Sequence, residues 1–340
     1  MTSPQRITVI GDGAMATVCA NLLAEKGCDV SMWGPFPEHI REMTETGRNA
    51  RYLPGVDLHP SLRLTADPAR AVDNTQLIVA SIPTQYIRSV WQRFADHLPE
   101  PTAVLSVAKG IENDTLMLPT QIIADVLSSR SASTAMTALS GPTIARELAA
   151  RLPASASIAG EDAKLIAQLQ ELFTTDFFRI YTNHDLMGVE LAGAVKNVIA
   201  LAAGIVDGLG LGYNAKSSLL SRGLAEIVRL GTTLGAETET FFGMTGVGDL
   251  ATTCFCPTSR NRTAGEMLGK GMVLEEVPEH INGVVEGVAT TKSVMQLARK
   301  HGVEMPIVET VHAVLFEGLS PQDAIGQLMS RAPKAEQVGH

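Results

Sequence analysis

The chain has 340 residues, of which 45 % are hydrophobic, 19 % charged and only 4 % aromatic, with 30 glycines. That length calls for two domains, or one large α/β domain with an appendage, and excludes a small disulfide scaffold; the composition excludes disorder and fibre. Twenty-seven basic against 36 acidic residues leave a net charge of −9, which opposes non-specific binding to nucleic acid or an anionic membrane, so an anionic ligand must meet a local basic site.

The first half alternates short β-branched runs with helical stretches, which predicts a mostly parallel, doubly wound sheet covered on both faces. Strands are expected at Arg6–Ile10, Asp29–Trp33, Leu62–Thr65, Leu77–Ile82, Ala103–Val107, Thr137–Ser140 and Ala156–Ala159, with Phe178–Thr182 as a last edge. From Asp185 onward long Ala/Leu/Gly-rich segments with helical spacing run to Leu328 and predict an all-helical second domain. The expected division is 1–186 and 187–340. The stretch Leu186–Val206 approaches membrane-spanning length, yet contains Glu190, Lys196 and Asn197, each costly at a bilayer centre; a buried helix is expected and no integral membrane segment. Cys19, Cys28, Cys254 and Cys256 form no paired knuckles and read as reduced cytosolic thiols, and no metal site is expected. The start of the chain leads into a short strand rather than a signal core, so no export is expected, and the polar tail Arg331–His340 is expected to fray.

After the first strand comes Gly11-Asp12-Gly13-Ala14-Met15-Ala16, then a helix to about Lys26 and a second strand. This G-x-G-x-x-A stands in the strand, turn, helix context of dinucleotide binding: Gly11 permits the turn, Gly13 lets a pyrophosphate approach the backbone, and small Ala16 lets the helix pack on the strand. The free N–H groups at the helix start then face the anion. The plainer alternative is a tight turn without a ligand. A carboxylate for the ribose is expected at the end of the second strand, but Trp33-Gly34-Pro35 stands there and Asp29 begins the strand instead.

Other loops after strands are the next places to inspect. Pro83-Thr84-Gln85 reads as a turn into a helix. Ala108-Lys109-Gly110 brings an ammonium to a ligand-facing edge, where an anion contact is favoured over a solvated Lys. Gly141-Pro142-Thr143-Ile144-Ala145 places Pro142 near the first position of a helix whose N-terminus is a second anion site or a simple cap. In the helical half, Lys196 has neighbours apolar enough to bury it, which pushes its pKa down toward the range of proton transfer; the alternative is a Lys snorkelling at the surface. Asp249 after Gly246-Val-Gly, and Ser259-Arg260-Asn261, offer a carboxylate, a phosphate fork and a hydroxyl ligand. Their bland alternatives are a helix cap and a solvated turn.

These motifs occur in one order with Ala108-Lys-Gly-Ile111, Gly188-Val-Glu-Leu-Ala-Gly-Ala-Val-Lys-Asn197, Arg222-Gly-Leu-Ala-Glu226 and Val284-Val-Glu-Gly287. Over about residues 6–332 the chain closely resembles the bacterial NAD(P)-dependent glycerol-3-phosphate dehydrogenases. The resemblance implies an enzyme, a homodimer, that transfers hydride reversibly between NAD(P)H and dihydroxyacetone phosphate, giving sn-glycerol 3-phosphate for phospholipid synthesis; the thiols and the missing signal core lead to the expectation that it is cytoplasmic. By similarity Lys196 is the general acid/base. Lys109, Gly141, Thr143, Lys196, Asp249, Ser259, Arg260 and Asn261 match substrate-contacting positions. Gly11, Gly13, Ala14, Met15, Lys109, Ala145, Arg260, Val284 and Glu286 match the cofactor side. Ala14, Met15, Ala16, Pro35 and Phe36 depart from the family pattern in the adenosine and pyrophosphate subsite, which leaves NAD against NADP open. Two other classes remain: another Rossmann-plus-helices oxidoreductase of the 3-hydroxyacid dehydrogenase or ketopantoate reductase type, and a non-catalytic dinucleotide-binding sensor.

Overall fold

A computed structural model describes residues 5–100, 102–128 and 134–333. Met1–Pro4, which bear on the export expectation, and residues 334–340 of the polar tail lie outside them. The chain divides into two compact units, one of residues 1–108 and 119–186, the other of residues 109–118 and 187–340.

Among the described residues the first unit is built on eight strands: β1 (Arg6–Ile10), β2 (Asp29–Trp33), β3 (Arg63–Thr65), β4 (Leu77–Ala80), β5 (Ala103–Ser106), β6 (Ala135–Ser140), β7 (Ala154–Gly160) and β8 (Phe178–Asn183). All eight expected strands are present. Some ends differ: β4 and β5 stop before Ile82 and Val107, although Ser81 N–H still donates to Ile10 O and Val107 N–H to Ala80 O. The sheet order is β3-β2-β1-β4-β5-β6-β7-β8. Neighbours from β3 through β6 pair in parallel, β6 and β7 pair antiparallel, and β7 and β8 are again parallel to each other. The order therefore reverses direction at β1, whose flanking strands are β2 and β4, and the carboxyl edge beside β1 is the switch point at which open α/β sheets take ligands.

The helices of this unit are α1 (Ala14–Glu25), α2 (Pro37–Thr46), α3 (Pro68–Ala71), α4 (Ile87–Gln92), α5 (Pro119–Val126), α6 (Ala145–Ala149) and α7 (Ala163–Phe173). The strands carry continuous apolar runs because helices cover both faces. Val9, Val30, Met32 and Val79 are wholly enclosed and share one core with Ala16, Ala20 and Leu23 of α1. Pro83 leads through a single 3₁₀ turn, Thr84–Tyr86, into α4, as its sequence suggests.

The second unit is helical: α8 (Leu186–Gly208), α9 (Gly212–Thr233), α10 (Thr238–Phe242), α11 (Asp249–Phe255), α12 (Arg260–Gly269), α13 (Val277–His280), α14 (Glu286–His301), α15 (Pro306–Phe316) and α16 (Pro321–Met329). The membrane-length stretch is α8, whose most apolar window is wholly buried inside the protein; it is the central core helix. An all-round apolar helix needs partners on every face, and α8 has them from Ile227 and Val228 of α9, Leu250 of α11, Ala264 and Leu268 of α12 and Val294 of α14. Residues 109–118, which lie in the middle of the α/β half of the sequence, belong to this unit. Ile111 and Leu118 sit in its core, and Ser293 of α14 donates to Ile111 O at 3.0 Å and to Asn113 Oδ1 at 2.6 Å.

Candidate functional site

In the sheet unit the site is made of backbone. Gly11 has φ +128, and a side chain there would come within 2.2 Å of Ser81 O, so only glycine lets the chain leave β1 beside β4. Its N–H donates to Trp33 O at 2.8 Å, which ties the turn to the end of β2. Gly13 is the N-cap of α1 without a side-chain cap, and the space where its Cβ would stand is open. Ala14 and Met15 form the first turn and are half-buried, while Ala16 is fully buried. Free N–H groups behind an open glycine face make a cradle that a dinucleotide pyrophosphate fits.

Sequence reasoning missed what fixes this cradle. Asn49, fully buried, donates from Nδ2 to Asp12 O and to Thr17 Oγ1, both at 2.8 Å, and its Oδ1 accepts from Tyr52 N–H. No local motif announces a clamp that lies 37 residues away. On the loop after β6, Gly141 has φ +146 and Thr143 Oγ1 donates back to Gly141 O at 3.2 Å. The helix here starts later than expected. Ile144 rather than Gly141 is its N-cap, Pro142 precedes the cap, and Ala145 opens a helix of only five residues. Pro142 therefore works as loop geometry and not as a helix starter.

In the helical unit the site is made of side chains from three segments. Lys196 of α8 is 6 % exposed and Asp249 2 %. Lys196 Nζ lies 2.6 Å from Asp249 Oδ1, and Lys109 Nζ lies 2.6 Å from Asp249 Oδ2, so one buried carboxylate bridges two ammonium groups. Lys196 also donates to Thr253 Oγ1 at 2.6 Å, and Thr253 donates one turn back to Asp249 O at 2.7 Å. Desolvation pulls the Lys196 pKa down to about 8, with nearby Lys109 pulling the same way and Asp249 opposing. Burial works to raise Asp249, but the two lysines outweigh it and hold its carboxyl below the usual range. The snorkelling alternative for Lys196 is thereby removed. So is the solvated alternative for Lys109, whose ammonium is held by a buried partner. Asp249 opens α11, but its carboxylate faces the lysines rather than capping the helix.

The backbone of the same cluster is held by amides. Asn197 Nδ2 donates to Lys109 O at 3.2 Å, Asn261 Nδ2 donates to Asn197 Oδ1 at 2.8 Å, and Asn261 Oδ1 accepts from Gly287 N–H at 2.9 Å. This chain joins residues 109–118, α8, α12 and the start of α14. Ser259 is not in a solvated turn: it is the N-cap of α12, and its side chain accepts from Arg262 N–H. Arg260 stands at the first position of α12 and retains exposed surface; where protein surrounds it, desolvation lowers its pKa, and the charge of Glu286, which opens α14, opposes that. Val284 lies half-buried just before it. An arginine fork at a helix N-terminus suits a phosphate.

A second feature escaped the sequence reading. Gly204 and Gly208 of α8 face Gly265 and Gly269 of α12: a Cβ on Gly204 would reach 1.9 Å from Arg262 O, and one on Gly265 2.0 Å from Leu201 O. The two helices touch backbone to backbone, and they are the same pair whose Asn197 and Asn261 are hydrogen-bonded. The signal was present as two pairs of glycines four residues apart, one per helix.

A glycine turn at the switch point of a doubly wound sheet, together with a helical unit carrying a buried lysine of lowered pKa and an arginine at the start of a helix, defines a nicotinamide-nucleotide-dependent oxidoreductase of the Rossmann type. The chain belongs to the NAD-dependent glycerol-3-phosphate dehydrogenase family: the model of the family's N-terminus matches residues 6–166 and that of its C-terminus residues 185–326. It is 46 % identical over 332 residues to the glycerol-3-phosphate dehydrogenase, NAD(P)+, of Geobacter sulfurreducens, covering 98 % of this chain and 99 % of that one. The crystal structure of glycerol-3-phosphate dehydrogenase from Coxiella burnetii superposes with a TM-score of 0.92 at 36 % identity, covering 96 % of this chain and 99 % of that one. A ketopantoate reductase from Ralstonia eutropha reaches a TM-score of 0.59 at 16 % identity, covering 94 % of this chain and 100 % of that one, and shares the fold alone.

Proposed function

We propose that the chain catalyses reversible hydride transfer between NAD(P)H and C2 of dihydroxyacetone phosphate, giving sn-glycerol 3-phosphate for glycerophospholipid synthesis. The observation that carries this reading is the Lys196–Asp249–Lys109 cluster, a buried proton donor with a pKa of about 8 beside a second positive charge. The nicotinamide, when bound, supplies the hydride, and Gly11, Gly13, Ala14, Met15, Lys109, Ala145, Arg260, Val284 and Glu286 are the residues assigned to hold the dinucleotide. Lys196 gives its proton to the C2 oxygen as that oxygen becomes an alkoxide, and takes one from the alcohol in reverse. The neutral amine left behind keeps its place through Asp249 and Thr253. Lys109 adds positive charge where the oxyanion develops, and fixed charge aimed at a developing oxyanion lowers the barrier more than most other devices a site can offer.

Arg260 holds the substrate phosphate by its fork, with Gly141, Thr143, Asp249, Ser259 and Asn261 completing the substrate contacts. Membership of the family favours this reading over the hydroxyacid, ketopantoate and sensor alternatives. A cytoplasmic homodimer belongs to the same proposal, supported by the four free thiols for the compartment and by the family resemblance for the stoichiometry; light scattering of the purified protein checks the stoichiometry. The primary test follows the absorbance of NADH or NADPH with dihydroxyacetone phosphate, using Lys196→Ala as control. Oxidation that needs both the phosphate group and Lys196 is expected. Nucleotide binding without oxidation, or equal rates with a 2-ketoacid, would overturn the reading.

A further inference from the structure

A doubly wound sheet ordinarily places at the end of its second strand the carboxylate that accepts a hydrogen bond from the adenosine ribose. Here that end reads Trp33-Gly34-Pro35, and the acid of the strand, Asp29, is at its opposite end with its oxygens on Arg6 at 3.2 Å and Arg63 at 2.6 Å. The space beside Gly34 is nevertheless filled by an acid. A Cβ on Gly34 would stand 2.7 Å from Asp12 Oδ2 and 2.9 Å from Asp12 Cβ. The second residue of the glycine turn thus reaches across to the strand end, and only a glycine at 34 gives it room.

Asp12 is built in rather than loosely placed. It is 8 % exposed, and Asn49 holds its carbonyl oxygen. Its Oδ2 is enclosed without a hydrogen-bond partner, so no hydrogen bond offsets the charge on that oxygen. Burial pushes its pKa upward, with His39 and Arg51 opposing. The surrounding groups do not make the region basic. Glu38, Glu42 and Glu45 line one cavity with His39, Arg41 and Arg51, and Arg41 is already paired with Glu38 and, at 3.9 Å, with Glu45. Three carboxylates share that cavity with two guanidiniums and the His39 ring, whose Nδ1 lies 3.8 Å from Glu42, and Asp12, within electrostatic reach of His39 and Arg51, adds a further carboxyl group to the region.

We infer that Asp12 makes the enzyme select NAD(H) over NADP(H), by placing a carboxylate from the glycine turn at the end of β2. This rests on the dinucleotide reading above and deepens it. A ribose 2′-hydroxyl brings a donor into this field, whereas a 2′-phosphate brings two negative charges and only acceptors. Selection of this kind rests on the repulsive element as much as on the attractive one. Because the interaction is coulombic and partly desolvated, it operates without direct contact to the enclosed oxygen.

The test measures dissociation constants of NADH and NADPH for the purified full-length enzyme by titration calorimetry, for the wild type and for Asp12→Asn, which removes the charge and keeps the shape. The wild type should bind NADH at least about tenfold tighter than NADPH, the equivalent of about 1.4 kcal/mol. Asp12→Asn should narrow that ratio about tenfold by improving NADPH, and the KM for dihydroxyacetone phosphate should not move. Wild-type enzyme that binds NADPH as tightly as NADH overturns the inference, and so does an Asp12→Asn ratio equal to that of the wild type. The wild-type ratio decides even if the variant folds poorly. Failure of both nucleotides to bind sinks the dinucleotide reading and the inference with it, whereas equal binding of the two sinks the inference alone, so the two failures are distinguishable.

Discussion

The sheet unit presents its candidate ligand groups as backbone atoms at the end of one strand, and the helical unit presents them as charged side chains brought from residues 109, 196 and 249. The first arrangement needs only small residues and the right dihedral angles, so a few adjacent letters specify it, as Gly11 and Gly13 do. The second buries two charges and half-buries a third, a costly arrangement that becomes tolerable only because all three meet. Local geometry can be altered one residue at a time; a buried charge cluster answers as a unit.

The sharpest break of that comparison is Lys196→Ala. It should lower kcat by about 10²–10⁴-fold while NADH binding, measured by calorimetry, stays near wild type, because the cradle is elsewhere in the chain. Equal loss of binding would mean the two units are not functionally separable. Next, Asp249→Ala leaves the buried Lys196 ammonium and the half-buried Lys109 ammonium without their shared partner and should cost about 3–5 kcal/mol of stability in denaturant unfolding, in contrast to exposed ion pairs such as Arg151–Glu25, whose removal should cost about 1 kcal/mol or less. Gly265→Ala drives a methyl into Leu201 O and should destabilise the helical unit by about 1–3 kcal/mol, read as a lowered Tm. Arg260→Lys should raise the KM for dihydroxyacetone phosphate about tenfold with little change in kcat, since a point charge forfeits one charge-assisted bond of about 1.5 kcal/mol.

The smallest effect is a displacement in pH. Reduction needs Lys196 protonated, so its rate should fall as pH rises through about 8, while oxidation needs the neutral amine and should rise through the same range. In Asp249→Asn the carboxylate no longer opposes desolvation and Lys109, so both limbs should move to lower pH. Profiles of kcat in the two directions check this, and a limb that stays in place would detach Lys196 from Asp249.

Much of the fold was legible because strands buried on both faces are short apolar runs, and the helices between them are punctuated by glycine and proline. The sheet's eight strands and the helical remainder followed from that pattern. So did the burial of Lys196, which the apolar residues around it make hard to avoid. The pairing partners were less accessible. Nothing near Lys109 says that it leaves the sheet half to meet Asp249, and nothing near Asn49 says that it pins the glycine turn. Pro142 misled because a Gly-Pro step reads as a helix start, while the backbone delays the helix to Ala145.

The sequence by itself determined the order of strands and helices, the glycine turn, the apolar core helix and the family, because each is written in adjacent residues and short periodicities. Only the tertiary structure decided that residues 109–118 join the helical unit, that Asp249 bridges two lysines, that α8 and α12 meet at their glycines and that Asp12 stands at the end of β2. Those are relations between residues tens to more than a hundred positions apart. Chain packing, not local preference, sets such distances, and the charges and hydrogen bonds of the site depend on the distances alone.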